Sequence, residues 1–218
     1  MAATYGVVNL ISSFGVAAHW RHLVVRNLPT TSSSSHIVDL MSGMGELCRS
    51  IVGQLPMPSH VTGVDISPEM IRRAKKDWPF PIEMVLADAL QWDFLPGSAD
   101  VVISSFGLKT FDLDQQALLA ERVARLLRPG GAFSFLEISV PPIWFLRPLY
   151  MFYLERIIPL IGRLFLGNPA NYRLLGVYTR AFGNCRHFAA CLRHQGLRVS
   201  ESSHLFGCAT SVRGTKPC

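Results

Sequence analysis

From residue 36 onward the chain alternates short apolar runs with stretches of helical period. His36–Leu40, "HIVDL", reads as a strand, and Gly45–Gln54 as a helix. Val61–Ile66 is the second strand. Ser67-Pro68-Glu69 then opens a helix, with Ser67 as its N-cap and Pro68 at the first helical position, where no N–H is needed. Ile82–Leu86 and Asp100–Ser105 are the third and fourth strands. Asp112–Leu127 has the apolar stripe of a long amphipathic helix, which "RPGG" at Arg128–Gly131 stops, and Ala132–Ile138 is the fifth strand. Leu197–Phe206 and Cys208–Lys216 read as a closing β-hairpin around Gly207. Residues 1–28 have a helical pattern, and Pro29–Ser35, "PTTSSSS", is a polar linker. Strands alternating with helices at this spacing predict an α/β fold with a parallel, doubly wound sheet.

One stretch departs from the alternation. Pro141–Leu166 is strongly apolar, but Arg147, Glu155, Arg156 and Arg163 interrupt it. It holds no run of about 18 uncharged residues, so a membrane-spanning helix is not expected. It reads as helices that cover a pocket or lie at a membrane interface, with packing on the sheet carrying nearly equal weight.

Composition changes this picture at two points. At 218 residues the chain suits a single domain, and 49% hydrophobic with 17% charged residues suits a globular one. The net charge of +6 is uneven, however. Residues 1–137 hold eleven Lys/Arg and thirteen Asp/Glu, whereas residues 138–218 hold ten Lys/Arg against Glu155 and Glu201 alone. The C-terminal third could therefore meet an anionic membrane or an acidic substrate. There is no RNA-binding signature or continuous basic stripe, so nucleic acid is not an expected partner. The five cysteines form no spaced framework and are read as reduced thiols in a cytosol. The expected location is cytoplasmic, with peripheral membrane contact as an option, and the oligomeric state is left open.

The candidate chemistry lies at the strand ends. Gly43-x-Gly45 follows the first strand, where glycine lets a ligand approach the backbone and the next helix offers free N–H groups. Cys48 stands where a dinucleotide fingerprint has its third glycine. Asp65, twenty residues after Gly45, ends the second strand and can accept ribose hydroxyls. Asp88, before Ala89, can accept a proton from an adenine amino group. Asp39, at the end of the first strand, adds negative charge that suits a cationic ligand and not a pyrophosphate. The set favours S-adenosyl-L-methionine (SAM), a sulfonium that also carries an ammonium. Any one of these aspartates could instead cap the following helix.

At this point "VDLMSGMGE", "VTGVDISPEM", "ADAL", "SSFGLKTF", "RLLRPGG", "FLEIS" and the terminal "RGTKP" resemble a class I SAM-dependent methyltransferase. The nearest group is the UbiE type, which C-methylates ubiquinone and menaquinone precursors. The resemblance spans nearly the whole chain, including Tyr5, Asn9 and Trp20-Arg21 near the start and "PLIGRLFLG…YRLL…RAF" at 159–182. It implies a Rossmann-like seven-stranded sheet with an antiparallel C-terminal hairpin. Around a SAM-binding core at 36–139 it implies helical lids at 1–28 and 141–180. It implies cofactor contacts from Asp39, Gly43, Gly45, Asp65, Ile66, Met70, Asp88, Ala89 and Ser105. Three departures fall on the substrate side. Lys109-Thr110 replaces the Arg-Asn that usually follows "FGL", Gly176–Thr179 replaces Pro-Glu-Ser-Ile, and Gly6 replaces an Asp. The resemblance thus carries the SAM half further than the quinone acceptor.

For the reaction, Lys109 could stabilise an acceptor oxyanion, with a solvent-facing lysine about equally expected. Glu137 could orient the substrate or act as base, and Tyr178 is a further catalytic candidate. Tyr5, Asn9, Phe106, Tyr150, Tyr153, Tyr172 and Arg180 are expected on the acceptor side. The tyrosines taken one by one are more often packing. His187, Cys191 and His194 share a helix face near Cys185, but no second cluster completes a metal site, and none is expected. The leading function is methyl transfer to a small aromatic or lipophilic acceptor, in quinone-precursor C-methylation or natural-product tailoring. The alternatives are a non-catalytic SAM-fold scaffold of a membrane-associated complex, or SAM-assisted chemistry without methyl transfer.

Overall fold

A computed structural model describes residues 15–26, 28, 35–74, 77–161 and 170–218, apart from the side chains of 170–173. Seven strands form one sheet: β1 (His36–Leu40), β2 (His60–Asp65), β3 (Ile82–Leu86), β4 (Ala99–Ser105), β5 (Leu127–Ile138), β6 (Arg198–His204) and β7 (Ala209–Thr215). Their order is β3-β2-β1-β4-β5-β7-β6. The first five are parallel, and β7 runs antiparallel to both β5 and β6. This is the expected doubly wound sheet with its closing hairpin.

The two faces follow from strand alternation. Val38, Leu40 and Val102 point into one apolar cluster, covered by α4 (Leu113–Leu126) and α7 (Arg186–His194). Ile37, Val101 and Ile103 point the other way, into a cluster closed by α1 (Val16–Arg26) and α2 (Cys48–Gln54). Helix α4 starts where its sequence says. Asp112 and Gln115 form a reciprocal capping box, each side chain accepting from the other's backbone N–H, at 2.8 and 3.0 Å. The short helix α3 (Pro68–Arg73) is capped by Ser67, whose hydroxyl accepts from the Met70 N–H.

Several boundaries differ from expectation. The helix read from Gly45 begins only at Cys48, because Gly43 and Gly45 take φ of 59° and 78° and the chain continues as turns to Leu47. Strand β5 starts at Leu127, earlier than Ala132, because Leu127 pairs with Ala99 before an irregularity near Val101. The hairpin turns through Leu205–Gly207, with Leu205 and Phe206 both at positive φ, so the strand read as far as Phe206 ends at His204. In the apolar insertion, α5 (Leu146–Phe152) continues into a π-helical turn, Tyr153–Ile157, and α6 (Ala170–Phe182) follows later. Met151, Leu154 and Ile158 are buried in a small cluster of their own. Within the expected N-terminal lid, α1 buries Trp20, Val24 and Val25 in the core beside Ile37 and Ile51, so this part is an integral layer of the fold. No helix among the described residues is long and apolar enough to cross a membrane.

Candidate active site

The strand order reverses between β1 and β4, which puts a crevice outside their carboxyl ends. Asp39 lies there with 1% of its surface exposed, and neither carboxylate oxygen has a hydrogen-bond partner among the described residues. Burial raises its pKa well above the usual 3.8, and the charges of Glu46 and Asp65 raise it further against the pull of Arg21. A buried acid left unpaired is costly, so it calls for a cation. The Ser42 and Ser104 hydroxyls are also buried without partners at the same strand ends. An ammonium- and sulfonium-bearing ligand fits this set; a phosphate does not.

Beyond Asp39 the loop folds onto its own side chains. The Gly43 N–H donates to Asp65 Oδ2 at 2.8 Å, and Asp65 Oδ1 accepts from the Ser67 N–H at 2.9 Å. Asp65 therefore fixes the loop and starts α3, while its carboxylate keeps unused acceptor capacity for a hydroxyl. Glu46 Oε2 accepts from the Met44 N–H at 3.1 Å, and its Oε1 lies 3.7 Å from the Arg21 guanidinium. A Cβ at Gly43 would come within 2.7 Å of Glu46 Oε2, so that fold-back needs glycine. Ile66 is exposed, Met70 is half-buried in the first turn of α3, and Ala89 is buried. Asp88 Oδ1 accepts from the Leu90 N–H at 2.9 Å, as in a local turn.

On the β4 side, Phe106 has φ of 65°, a left-handed backbone that is rare for an aromatic residue. Its ring is 6.2 Å from Trp20, and the Arg21 guanidinium sits 5.2 Å above it. Helix α1 thus bridges the glycine loop and the β4 turn. Lys109 follows in a 3-10 turn (Leu108–Thr110) and is buried at 8% exposure, so it is not a solvent-facing loop lysine. Its Nζ donates to Glu137 Oε1 at 3.0 Å and also to the Phe106 carbonyl. Glu137 is fully buried, and its Oε2 takes the Lys109 N–H at 3.0 Å while Oε1 takes the Ile138 N–H at 2.8 Å. Ser105 pairs with Leu136 on the adjacent parallel strand, which sets Glu137 beside Phe106, and the 3-10 turn that follows brings Lys109 back to it.

Other expected residues have different partners. The Tyr150 hydroxyl donates to the Cys208 carbonyl at 3.1 Å, and burial raises its pKa. Tyr153 lies against the Met151–Ile158 cluster, and burial raises its pKa too. Arg180 pairs with Glu155 at 2.6 Å on an exposed surface. Tyr178 is 36% exposed on α6, the helix that packs against the Lys109 turn. Tyr5, Asn9 and the Tyr172 side chain lie outside the described residues. His187 Nε2 is 3.1 Å from the Leu113 carbonyl and 3.4 Å from Cys191 Sγ; no group of three metal-ligating side chains occurs among the described residues. Sequence reasoning gave no role to Glu46 or Arg21. The resemblance did contain Trp20-Arg21, which was the available signal.

Comparison with known proteins agrees with this geometry. The demethylmenaquinone methyltransferase of Thermus thermophilus is 31% identical over all of this chain and 98% of that protein. The ubiquinone/menaquinone biosynthesis C-methyltransferase of Rubrivivax gelatinosus is 31% identical over 99% of this chain and 84% of that protein. Among solved structures, human N-acetylserotonin methyltransferase in complex with SAM shares the fold with a TM-score of 0.62 and 20% identity, covering 99% of this chain and 58% of that one. The N-methyltransferase NodS of Bradyrhizobium japonicum does so with a TM-score of 0.62 and 15% identity, covering 94% and 99%. The profile of the ubiE/COQ5 methyltransferase family matches residues 1–216, and with a buried, unpaired acid waiting at the strand switch the chain belongs to that family and is a SAM-dependent methyltransferase.

Proposed function

We propose that the protein C-methylates a lipophilic hydroquinone-type ring, with Asp39, the 41–45 loop and Asp65 holding SAM and Lys109 facing the acceptor. The observation that carries this reading is the buried Lys109–Glu137 pair just past the end of β4, beside the strand that carries Asp39. SAM, when bound, supplies an electrophilic methyl group on a sulfonium. The protein's part is to align the acceptor, exclude water and stabilise the charge that develops on it. An acceptor hydroxyl that loses its proton makes the neighbouring ring carbon nucleophilic. An ammonium has three donors, and two of those on Lys109 are used internally. The third is available to the acceptor oxyanion. Glu137, held by two backbone N–H groups as well as by Lys109, serves in this reading as a positioning residue and not as the base. Asp88 and Ala89 lie where an adenine would be read, Ile66, Met70, Ser105 and Phe106 line the walls, and Tyr178 remains the nearest candidate to act on the acceptor's proton. Helix α6, which packs against the Lys109 turn, serves as the cover.

The names of the relatives in menaquinone and ubiquinone synthesis support a quinone-pathway acceptor. Membership in an enzyme family does not favour a non-catalytic scaffold. The same reading includes peripheral membrane contact, because a lipophilic acceptor resides in a bilayer and the C-terminal third carries surplus positive charge. The test is mass analysis of product after incubation with SAM and a demethylated quinol. A product heavier by one methylene unit, with the new methyl on a ring carbon, is expected. Methyl on oxygen would redirect the reading to natural-product tailoring, and cofactor consumption without mass gain would mean SAM-assisted chemistry.

Asp39 gives a test of the cofactor half. Its folded pKa is raised, so its stabilising contribution is complete below pH 3.8 and is lost as pH rises through the folded pKa. At neutral pH it is therefore a liability to the empty protein. Asp39→Asn should raise the melting temperature without ligand at neutral pH, an advantage that shrinks on acidification. It should also weaken SAM binding by roughly 10- to 100-fold, the loss of a charge-assisted bond of about 1.5–3 kcal/mol. Thermal melts and calorimetry read the two effects separately, and unchanged SAM affinity rejects the assignment.

A further inference from the structure

We infer that the outer face of α5, with the β6–β7 tip beside it, docks on an anionic phospholipid surface, a headgroup phosphate being held between Arg147 and Arg156. The inference gives the membrane contact proposed above its surface, and rests on it. Phe145, Leu149 and Phe152 recur at helical spacing along α5 and are 56%, 66% and 58% exposed. Trp144, one residue before, is 83% exposed and stands edge-on against Phe145 at 5.8 Å. Large apolar side chains grouped in this way on one helix face mark a docking surface more often than scattered ones do.

The hairpin tip repeats the message by another route. Leu205 and Phe206 are 54% and 72% exposed, although both take left-handed backbones, φ of 47° and 57°, where glycine or asparagine is the ordinary choice. The fold accepts strain to hold two apolar side chains in water. This tip abuts the start of the α5 segment, since a Cβ on Gly207 would lie 3.4 Å from Pro141 Cα, and the Tyr150 hydroxyl reaches the Cys208 carbonyl.

Charge selects the occupant. A cavity of about 610 Å³ opens along α5, lined by Arg147, Arg156 and Arg180 with Met151, Phe152 and Glu155. Glu155 is the only acidic residue between positions 138 and 200, and it is paired with Arg180. Arg147 and Arg156 have no acidic partner among the described residues and are exposed. Aromatic and aliphatic side chains next to arginines that have no acidic partner match the boundary between acyl chains and anionic headgroups. A second copy of this chain fits less well, because a two-fold contact would set these arginines against one another.

The test uses the full chain and vesicles, with no turnover required. Flotation should show binding to phosphatidylcholine vesicles that contain phosphatidylglycerol, weaker binding as salt rises, and little binding to phosphatidylcholine alone. Arg147→Gln with Arg156→Gln should lower partitioning about 30-fold, from roughly fivefold per basic residue at the surface. Trp144→Ala with Phe206→Ser should lower it about tenfold or more. Both variants should keep the wild-type melting temperature, SAM affinity and turnover of a short, water-soluble acceptor. Binding to neither vesicle, or anionic binding that both variants retain, overturns the inference. Release from vesicles by inorganic phosphate at constant ionic strength overturns it in favour of a free-anion site. Retention by an acidic protein column without vesicle binding overturns it in favour of a protein partner. In each case the turnover arm shows whether the proposed methyl transfer still stands.

Discussion

Lys109→Met is expected to lower methyl transfer about 10²-fold or more and to lower the melting temperature at the same time. The first effect is the loss of a donor aimed at developing negative charge. The second arises because Glu137, fully buried, would lose its ammonium partner. Breaking a buried pair from one side costs about 3–5 kcal/mol, and at this chain length each kcal/mol is about 2–4 °C of melting temperature. A rate loss in the single variant would therefore mix two causes. The double variant Lys109→Met with Glu137→Gln separates them. Glutamine is neutral, and its carbonyl oxygen can still accept from a backbone N–H. The double variant should recover part of the melting temperature, since the glutamine oxygen serves one of the two backbone N–H groups that Glu137 holds, while the rate stays low. Recovery of both would make Lys109 a structural residue and move attention to Tyr178. Lys109→Arg should hold the fold, and a gain on demethylated quinols would show that this departure from the family's usual Arg-Asn tunes acceptor choice, since guanidinium offers a planar fork where ammonium offers a point charge.

The strands were legible because alternation and chain punctuation act locally. Each of β1 to β4 lies within a residue of its expected range, and Ile82–Leu86 matches at both ends. Residues whose placement follows from a strand end were legible as well. Asp39, Asp65 and Asp88 stand at or just after the carboxyl ends of β1, β2 and β3, where a doubly wound sheet puts its crevice. What stayed hidden depends on side-chain geometry across the chain. The Arg21 contacts to Phe106 and Glu46 join three segments that have no common period. The Lys109–Glu137 pair spans 28 residues and depends on the β4–β5 register together with the 3-10 turn after β4, neither of which a local pattern reveals. Arg180 was expected near the acceptor from the resemblance, yet Glu155 draws it to an exposed pairing on the α5 side. The helix after the glycine loop started late because two positive φ angles consumed the residues that its pattern would have used.

Gly107→Ala is expected to damage the cofactor and acceptor halves together. Gly107 is not in a left-handed conformation; its constraint is a close approach. A Cβ there would overlap the Cβ of Met41 and lie 2.8 Å from its Cγ. Met41 cannot easily retreat, because it occupies the turn between β1 and the glycine loop with φ of 53°. A β-carbon costs about 1–2 kcal/mol in that region of the map, and forcing one methyl into a packed contact costs typically 1–3 kcal/mol. The displaced atoms would be the loop that leads to Gly43 on one side and the turn that carries Lys109 on the other. Gly107→Ala should therefore lower the melting temperature by about 5–10 °C and weaken SAM binding, whereas a surface Gly→Ala change would do neither. Met41→Gly alone should be destabilising, because release from the left-handed penalty is outweighed by the loss of a partly buried side chain that packs against the core cluster. In that background Gly107→Ala should cost little further melting temperature or SAM affinity, because the overlapping pair of β-carbons no longer exists. If Gly107→Ala is as damaging there as in the wild type, the contact with Met41 is not what demands glycine, and the constraint must come from the 3-10 turn that Gly107 starts.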